Sequence, residues 1–330
     1  MRKFYKYAFV VLLLSLLVSA PFSAAAGSLT VYTSMKEALM GTLKEGFLKA
    51  HPDVELDYYI AGAGKIMSKI ASERAAGGVL ADVLWHSETP DFFDLKREGL
   101  LEPYVSPEAR HAESLFSDPD GCFTPARNGT LAIAYNTDRI KIPPSSWKDL
   151  LEPYYKDAFG IADPSLSGTA FGSVAALVQT FGWEFFEGCR ANGAHAGQGS
   201  GQVVEDTAQG ELAACIAVDY IVADKIRRGA PLGFVFPPEV IMLPSPVAIM
   251  KDSKNIEDAR KFVDFLLSKE GQAIIAESGS LPVRSDVPLP KDTLLPKPHD
   301  AVQRAIRLDF EKLVESKEET LQRFMKLLRP

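Results

Sequence analysis

Residues 163–174 read DPSLSGTAFGSV, and their types allow three kinds of chemistry. Ser167, Gly168, Thr169 and Ala170 stand between a Pro-bearing turn and an apolar run with helical character. A hydroxyl at such a junction can be a plain helix cap. It can belong to an anion site, because the free N–H groups of a helix start carry partial positive charge and a glycine lets a ligand approach the backbone closely. It can also be a nucleophile, which requires a histidine base and an acid to orient it. The third option finds no support in the sequence. SLSGT is not a G-x-S-x-G elbow, and His51, His86, His111, His195 and His299 are scattered, with no motif around any of them. There is no HExxH, no Walker loop and no GxGxxG after a strand.

Other junctions offer similar groups. VYTSMKE places Thr33 and Ser34 after a strand, and IAGAGKI places Gly62 and Gly64. WHSETP places Ser87 and Glu88, GQGSGQ places Ser200 and Gly201, and AVDYIVADK places Asp219 and Tyr220. Each has a bland alternative: a helix cap for the hydroxyls, a tight turn for the glycines, an ordinary histidine for His86 beside Glu88. So many small polar groups at such junctions suit a cleft better than capping alone, since ligands of open α/β sheets bind at the carboxyl ends of strands.

The elements that must position these groups alternate. Strands are expected at SLTVYTS, DVELDYYI and ADVLWH, with helices at KEALMGTLKEGFLKAH, AGAGKIMSKIASERAAGG and TPDFFDLKREGLL. A second α/β unit follows: LAIAYNT, FGIADP, LAACIAVDY and LGFVFP as strands, with helices at SWKDLLEPYYK, TAFGSVAALVQTFGWEFFEGCRAN, VVEDTAQGE and IVADKIRRG. GAHAGQGSGQ reads as a polar link. SPVAIMK is a further strand, NIEDARKFVDFLLSKEGQAIIAES a helix, and the Pro-spaced tail ends in an amphipathic helix. The order implies α/β architecture with mainly parallel sheets, in two units between which the chain crosses more than once.

Residues 1–26 have the layout of a cleaved secretory signal peptide: Arg2, Lys3 and Lys6, then the short apolar VVLLLSLLVSA, then SAAA before GS. The apolar stretch is shorter than a membrane span. Cleavage removes three positive charges and no acid, taking the net charge from −7 to −10. Such acidity argues against a nucleic-acid partner. About 300 residues remain, enough for one large domain or two lobes. Cys122, Cys189 and Cys215 fit no zinc or CxxC spacing; an oxidising compartment permits one disulfide, with Cys189–Cys215 a candidate and simple burial of Cys215 the alternative.

On the stretches LTVYTSMKEAL, ADVLWHSE, NGTLAIAYNT, DPSLSGTAFGSVAAL, GSGQVVEDTAQGE and LPSPVAIMKDSKNIEDARKFVDFLLSKEGQAIIAESGSLPVRSDV, the chain resembles the periplasmic solute-binding proteins of ABC importers. The resemblance is to the cluster holding ferric-ion, 2-aminoethylphosphonate and sugar-phosphate binders, and it spans nearly all of the mature chain. It implies the type II periplasmic-binding-protein fold: two lobes, each a mainly parallel sheet flanked by helices, closing on a ligand held between them. Lobe 1 is then expected at 27–127 plus about 245–300, lobe 2 at 128–244, and a C-terminal helical segment at 301–330 packing on both. Hinges are expected near RNGTLAIAY and between Phe236 and Pro246. The resemblance implies a periplasmic, non-enzymatic, monomeric receptor without a cofactor, handing its solute to a membrane permease and ATPase.

Ferric binders of the cluster use a His after the first strand, a Glu after the third and an adjacent Tyr pair. Here YTSMKE has no His, Glu88 matches the Glu, and Asp219-Tyr220 replaces the Tyr pair. The family's anion-holding Ser-Gly-x-Ala helix start is matched by Ser167, Gly168, Thr169 and Ala170. The anion anchor is kept and the metal cage eroded, which favours an organic phosphate or phosphonate. The alternatives are a ferric receptor built on Glu88, Asp219 and Tyr220, and, from another class, a secreted phosphate-ester hydrolase.

Overall fold

Two strands, β5 (Thr124–Asn136) and β10 (Ile241–Met250), run antiparallel through the middle of a ten-stranded sheet in a computed structural model that describes residues 27–113, 115–116 and 118–328. On one side lie β1 (Gly27–Thr33), β2 (Val54–Ile60) and β3 (Val83–Trp85); on the other lie β6 (Phe159–Ala162), β7 (His195–Gly197) and β8 (Ala214–Val218). The order is β2-β1-β3-β10-β5-β8-β6-β7, with β4 (Leu101–Glu102) on β10 and β9 (Leu232–Val235) on β5. β1 is parallel to β2 and β3, and β6 is parallel to β7 and β8, as alternating βα units require. β5 and β10 carry the chain across and back, so they pair antiparallel with each other and with β8 and β3. Ser245 faces Arg127 in the β5–β10 register, and the register shifts between Ser245 and Pro246.

Each side has its own core. Leu29, Phe47, Trp85 and Phe262 belong to one, and Trp147, Phe159, Phe186 and Ile216 to the other, all at most 3% exposed. Fully burying each such side chain contributes roughly 1.5–3 kcal/mol. Helices α1 (Glu37–Ala50), α2 (Ala63–Ala75) and α3 (Thr89–Arg97) follow β1, β2 and β3. Helices α4 (Gly168–Phe181), α5 (Trp183–Ala191), α6 (Ser200–Gln209) and α7 (Asp219–Arg227) belong to the second side. Then come α8 (Ile256–Leu267), α9 (Lys269–Glu277), α10 (Pro298–Arg304) and α11 (Phe310–Leu328).

Several stretches fold differently from their sequence reading. TAFGSVAALVQTFGWEFFEGCRAN is two helices, because Gly182 adopts φ 73°, a left-handed conformation that ends α4. NIEDARKFVDFLLSKEGQAIIAES is also broken: Ser268 leaves the helical region, and its hydroxyl accepts from the Gly271 N–H to start α9. SWKDLLEPYYK forms two 3-10 turns instead of an α-helix. Ser146 and Asp149 close a capping box at the first, and Pro153 opens the second. The polar link hides β7, paired with β6 from Gly160–His195, and α6 starts at Ser200, three residues earlier than VVEDTAQGE. Cys122, Cys189 and Cys215 are all buried free thiols, so the candidate Cys189–Cys215 bridge is absent; burial raises both Cys189 and Cys215 to about 12.

The C-terminal helix α11 spans both sides. Phe310 meets Phe116 at 5.9 Å between ring centroids, Phe324 meets Phe186 at 5.8 Å, and the Lys317 ammonium lies 5.7 Å from the Phe171 ring. The signal-peptide reading concerns residues 1–26, which lie outside the described residues.

Candidate functional site

Ser167 is the N-cap of α4: its extended backbone (φ −142°, ψ 120°) turns the hydroxyl onto the Ala170 N–H at 3.4 Å. That bond is long, and the Ser167 hydroxyl has other neighbours. Its Oγ lies 3.1 Å from Thr169 Oγ1 and 3.1 Å from Ser200 Oγ, and the last two are 3.2 Å apart. Ser200 is the first residue of α6, a different helix. Two helix starts therefore converge on one cluster of three hydroxyls. Each hydroxyl can rotate to donate outward, and both helix starts bring partial positive charge to the cluster. A tetrahedral oxyanion matches this donor set in charge and donor number.

Glu88 reaches this point from the other side of the cleft. It follows β3, next to Ser87, whose N–H donates to the Ser34 hydroxyl at 3.2 Å. A Cβ on Gly168 would lie 1.5 Å from Glu88 Oε1 and 2.0 Å from Cδ, so the carboxyl rests directly on the Gly168 backbone. Burial pushes the Glu88 carboxyl above its ordinary range, against the pull of the Lys317 ammonium. Asp91, one turn on, is raised to about 7 by burial and by Glu88. His86 is fully buried, and its Nδ1 accepts the Glu88 N–H at 3.1 Å. Burial lowers its pKa to about 3, so the ring is neutral; its Nε2 has no hydrogen-bond partner among the described residues and faces Asp91 Oδ2 at 3.7 Å.

The remaining expected residues are placed as follows. The buried Thr33 accepts the Met35 N–H at 3.1 Å through its hydroxyl, a local turn bond. Gly62 and Gly64 open α2 with no atom near a would-be Cβ, so neither brings its backbone against a neighbour. Asp219 is buried and fully engaged: one carboxylate oxygen accepts the Thr130 N–H and hydroxyl, each at 2.9 Å, and the other accepts the Tyr220 N–H at 2.7 Å. It ties the start of α7 to β5. Tyr220 does line a cleft cavity of about 550 Å³, together with Met35, Lys36, Asp224 and Glu277. Burial raises its hydroxyl pKa, opposed by Arg127.

Arg127 is a residue the sequence reading passed over. It sits on β5 and is only 2% exposed. Its guanidinium lies 5.0 Å from the Tyr220 ring centroid, and Lys36 Nζ lies 5.0 Å from the same centroid. A lone Arg before NG carries no local signal; only the β5–β10 pairing puts it at the cleft.

This architecture, two αβ units on a sheet crossed twice by the chain, with polar helix starts facing each other, defines a type II periplasmic binding protein. The chain belongs to the bacterial extracellular solute-binding proteins, whose family model matches residues 80–310. A protein of Haemophilus influenzae is 31% identical over 304 residues, 87% of this chain and 86% of that one. A putative 2-aminoethylphosphonate-binding periplasmic protein of Salmonella typhimurium is 25% identical over 259 residues, 74% of this chain and 73% of that one. Among solved structures, the periplasmic binding protein AfuA of Actinobacillus pleuropneumoniae with bound fructose 6-phosphate superposes with a TM-score of 0.77 at 26% identity, covering 92% of this chain and 99% of that one. Among the described residues, no helix is long and apolar enough to cross a membrane.

Proposed function

We propose that this protein is the periplasmic receptor of an ABC importer for a small phosphorylated or phosphonate solute, captured by closure of its two lobes. The observation that carries this reading is the cluster of Ser167, Thr169 and Ser200 hydroxyls, within 3.2 Å of one another at two helix starts. The phosphoryl group is held by these hydroxyls and by the N–H groups of Gly168 to Ala170. Ser34, Ser87 and Tyr220 serve the rest of the solute from the facing elements. β5 and β10 are the hinge, since they are the strands joining the two cores. The phosphonate-binding and sugar-phosphate-bound relatives support this choice of ligand class.

The chain acts without catalysis in this reading. Ser167 has hydroxyl neighbours and no histidine, and His86 is buried, neutral and bonded to the backbone. The monomeric receptor delivers its solute to a permease and ATPase. Iron fits the donor set poorly, because both oxygens of Asp219 are occupied and burial disfavours tyrosinate at Tyr220.

Titration calorimetry against 2-aminoethylphosphonate, fructose 6-phosphate and 3-phosphoglycerate tests this. Saturable binding of at least one is expected, weakened about 10- to 100-fold in Ser200→Ala, since a hydrogen bond to a charged group is worth roughly 1.5–3 kcal/mol. Silence from all three, with a tyrosinate charge-transfer band on adding ferric iron, would sink the reading.

A further inference from the structure

Arg127 is a buried, charged side chain whose protein partners do not account for it. One terminal nitrogen donates to the Ser280 hydroxyl at 3.1 Å. The other reaches the Ser245 and Ser87 hydroxyls at 3.2 and 3.4 Å. Nε has no hydrogen-bond partner among the described residues. Every partner is neutral, and among the described residues no carboxylate forms an ion pair with Arg127. Asp219 feels its charge but spends its oxygens on Thr130 and Tyr220. A guanidinium taken out of water with no hydrogen-bonded counter-charge is costly. Such a group persists where a ligand completes it.

Its position points the same way. Arg127 lines the cavity of about 550 Å³ that opens between α1 and α9 on one side and α7 on the other, with Ser280 beside it. Tyr220 and Lys36, also on that cavity, add an aromatic face and a second cation at 5.0 Å from the same ring as Arg127; Arg227 and Arg228 and the acids Asp224, Glu270 and Glu277 line it too. Ser87, hydrogen-bonded to Arg127, precedes Glu88, which touches Gly168. A chain of contacts thus runs from the hydroxyl cluster to the guanidinium. The scaffold around Arg127 is fixed by the β5–β10 pairing, and the hydrogen bonds it gives the guanidinium are to serine hydroxyls, which position the fork without neutralising it.

We propose that Arg127 is a ligand-binding residue: a preorganised cation at the crossing strands that takes an anionic oxygen of the bound solute. This deepens the receptor reading above and rests on it only for the location of the ligand. The serines hold the guanidinium in place before the solute arrives, so the solute binds without having to order it. A planar fork suits a carboxylate or phosphoryl oxygen pair.

The test uses the mature protein with Arg127→Met and Arg127→Lys. Thermal melts without ligand are combined with calorimetry against 2-aminoethylphosphonate, fructose 6-phosphate, 3-phosphoglycerate and citrate. Arg127→Met is expected to melt no lower than wild type, because it removes an uncompensated charge, and to lose at least a hundredfold in affinity. Arg127→Lys keeps the charge without the fork and should lose about tenfold. If wild type takes citrate alone and Arg127→Met loses it, the role of Arg127 stands and the phosphoryl reading falls. Wild-type affinity in Arg127→Met, a fall in its melting temperature, or a wild type silent to all four anions overturns the inference.

Discussion

Gly168→Pro is expected to fold and to bind the phosphorylated solute at least a hundredfold more weakly. Gly168 is the first residue of α4, the one helical position where proline fits and its missing N–H costs no helical bond. The residue before it is already extended, at φ −142° and ψ 120°, as a residue preceding proline must be. The fold therefore tolerates the change. The site does not, for two reasons. The N–H that would point at the anion is gone, and the ring must occupy the space where Glu88 Oε1 lies 1.5 Å from a Cβ. Glu88 comes from the other side of the cleft, so the ring acts as a wedge between the lobes. The two causes separate in Gly168→Ala, which keeps the N–H but has the same Cβ contact. Pairing it with Glu88→Ala removes the contact, and closure measured as a fall in radius of gyration on adding solute should return. If Gly168→Pro binds with wild-type affinity, neither the amide nor the contact matters.

The second large effect is on stability. Asp91→Asn is expected to raise the melting temperature well above wild type at pH 8 and hardly at all at pH 4. The folded Asp91 carboxyl has a pKa of about 7, raised first by burial and then by Glu88, against an ordinary 3.8. Between these values the folded state holds a proton that the unfolded state releases. The stability of this acid is thus fully present below about 3.8 and lost as pH rises to about 7. A shift of about three units at 1.36 kcal/mol each sets an upper bound of roughly 4 kcal/mol for the penalty at pH 8. The asparagine removes it. His86 contributes with the opposite sign: its pKa is lowered to about 3, so stability is lost as pH falls from 6.5 towards 3. The two losses oppose each other between about 4 and 6.5 in wild type. Equal melting temperatures of the two proteins at pH 8 would contradict this electrostatic account.

The sequence carried the hydroxyl cluster in outline. Ser167, Thr169 and Ser200 stand where residues of their type cap helices, and small polar groups at several such junctions suggested a cleft. What it could not carry was their approach to 3.1–3.2 Å, which depends on β6 and β7 lying side by side. Asp219 illustrates the opposite limit. An acid after a strand looks available, yet its oxygens are taken by Thr130 from β5, 89 residues away in sequence, and by the neighbouring Tyr220 N–H. Arg127 was invisible for the same reason: its partners Ser87, Ser245 and Ser280 are 40 to 153 residues distant. Hydrophobic periodicity ran on through Gly182 and Ser268, where a positive φ and a serine cap divide continuous apolar patterns.

The cluster of Ser167, Thr169 and Ser200 stands at the centre of the account as the grip on a phosphoryl or phosphonyl group. A crystal structure of the protein grown with 2-aminoethylphosphonate or fructose 6-phosphate addresses it most directly. The phosphoryl oxygens are expected within hydrogen-bond reach of these three hydroxyls and of the Gly168 to Ala170 amides, with the lobes closed. A solute bound elsewhere with these helix starts empty, or an iron held by Glu88 and Tyr220, would contradict it.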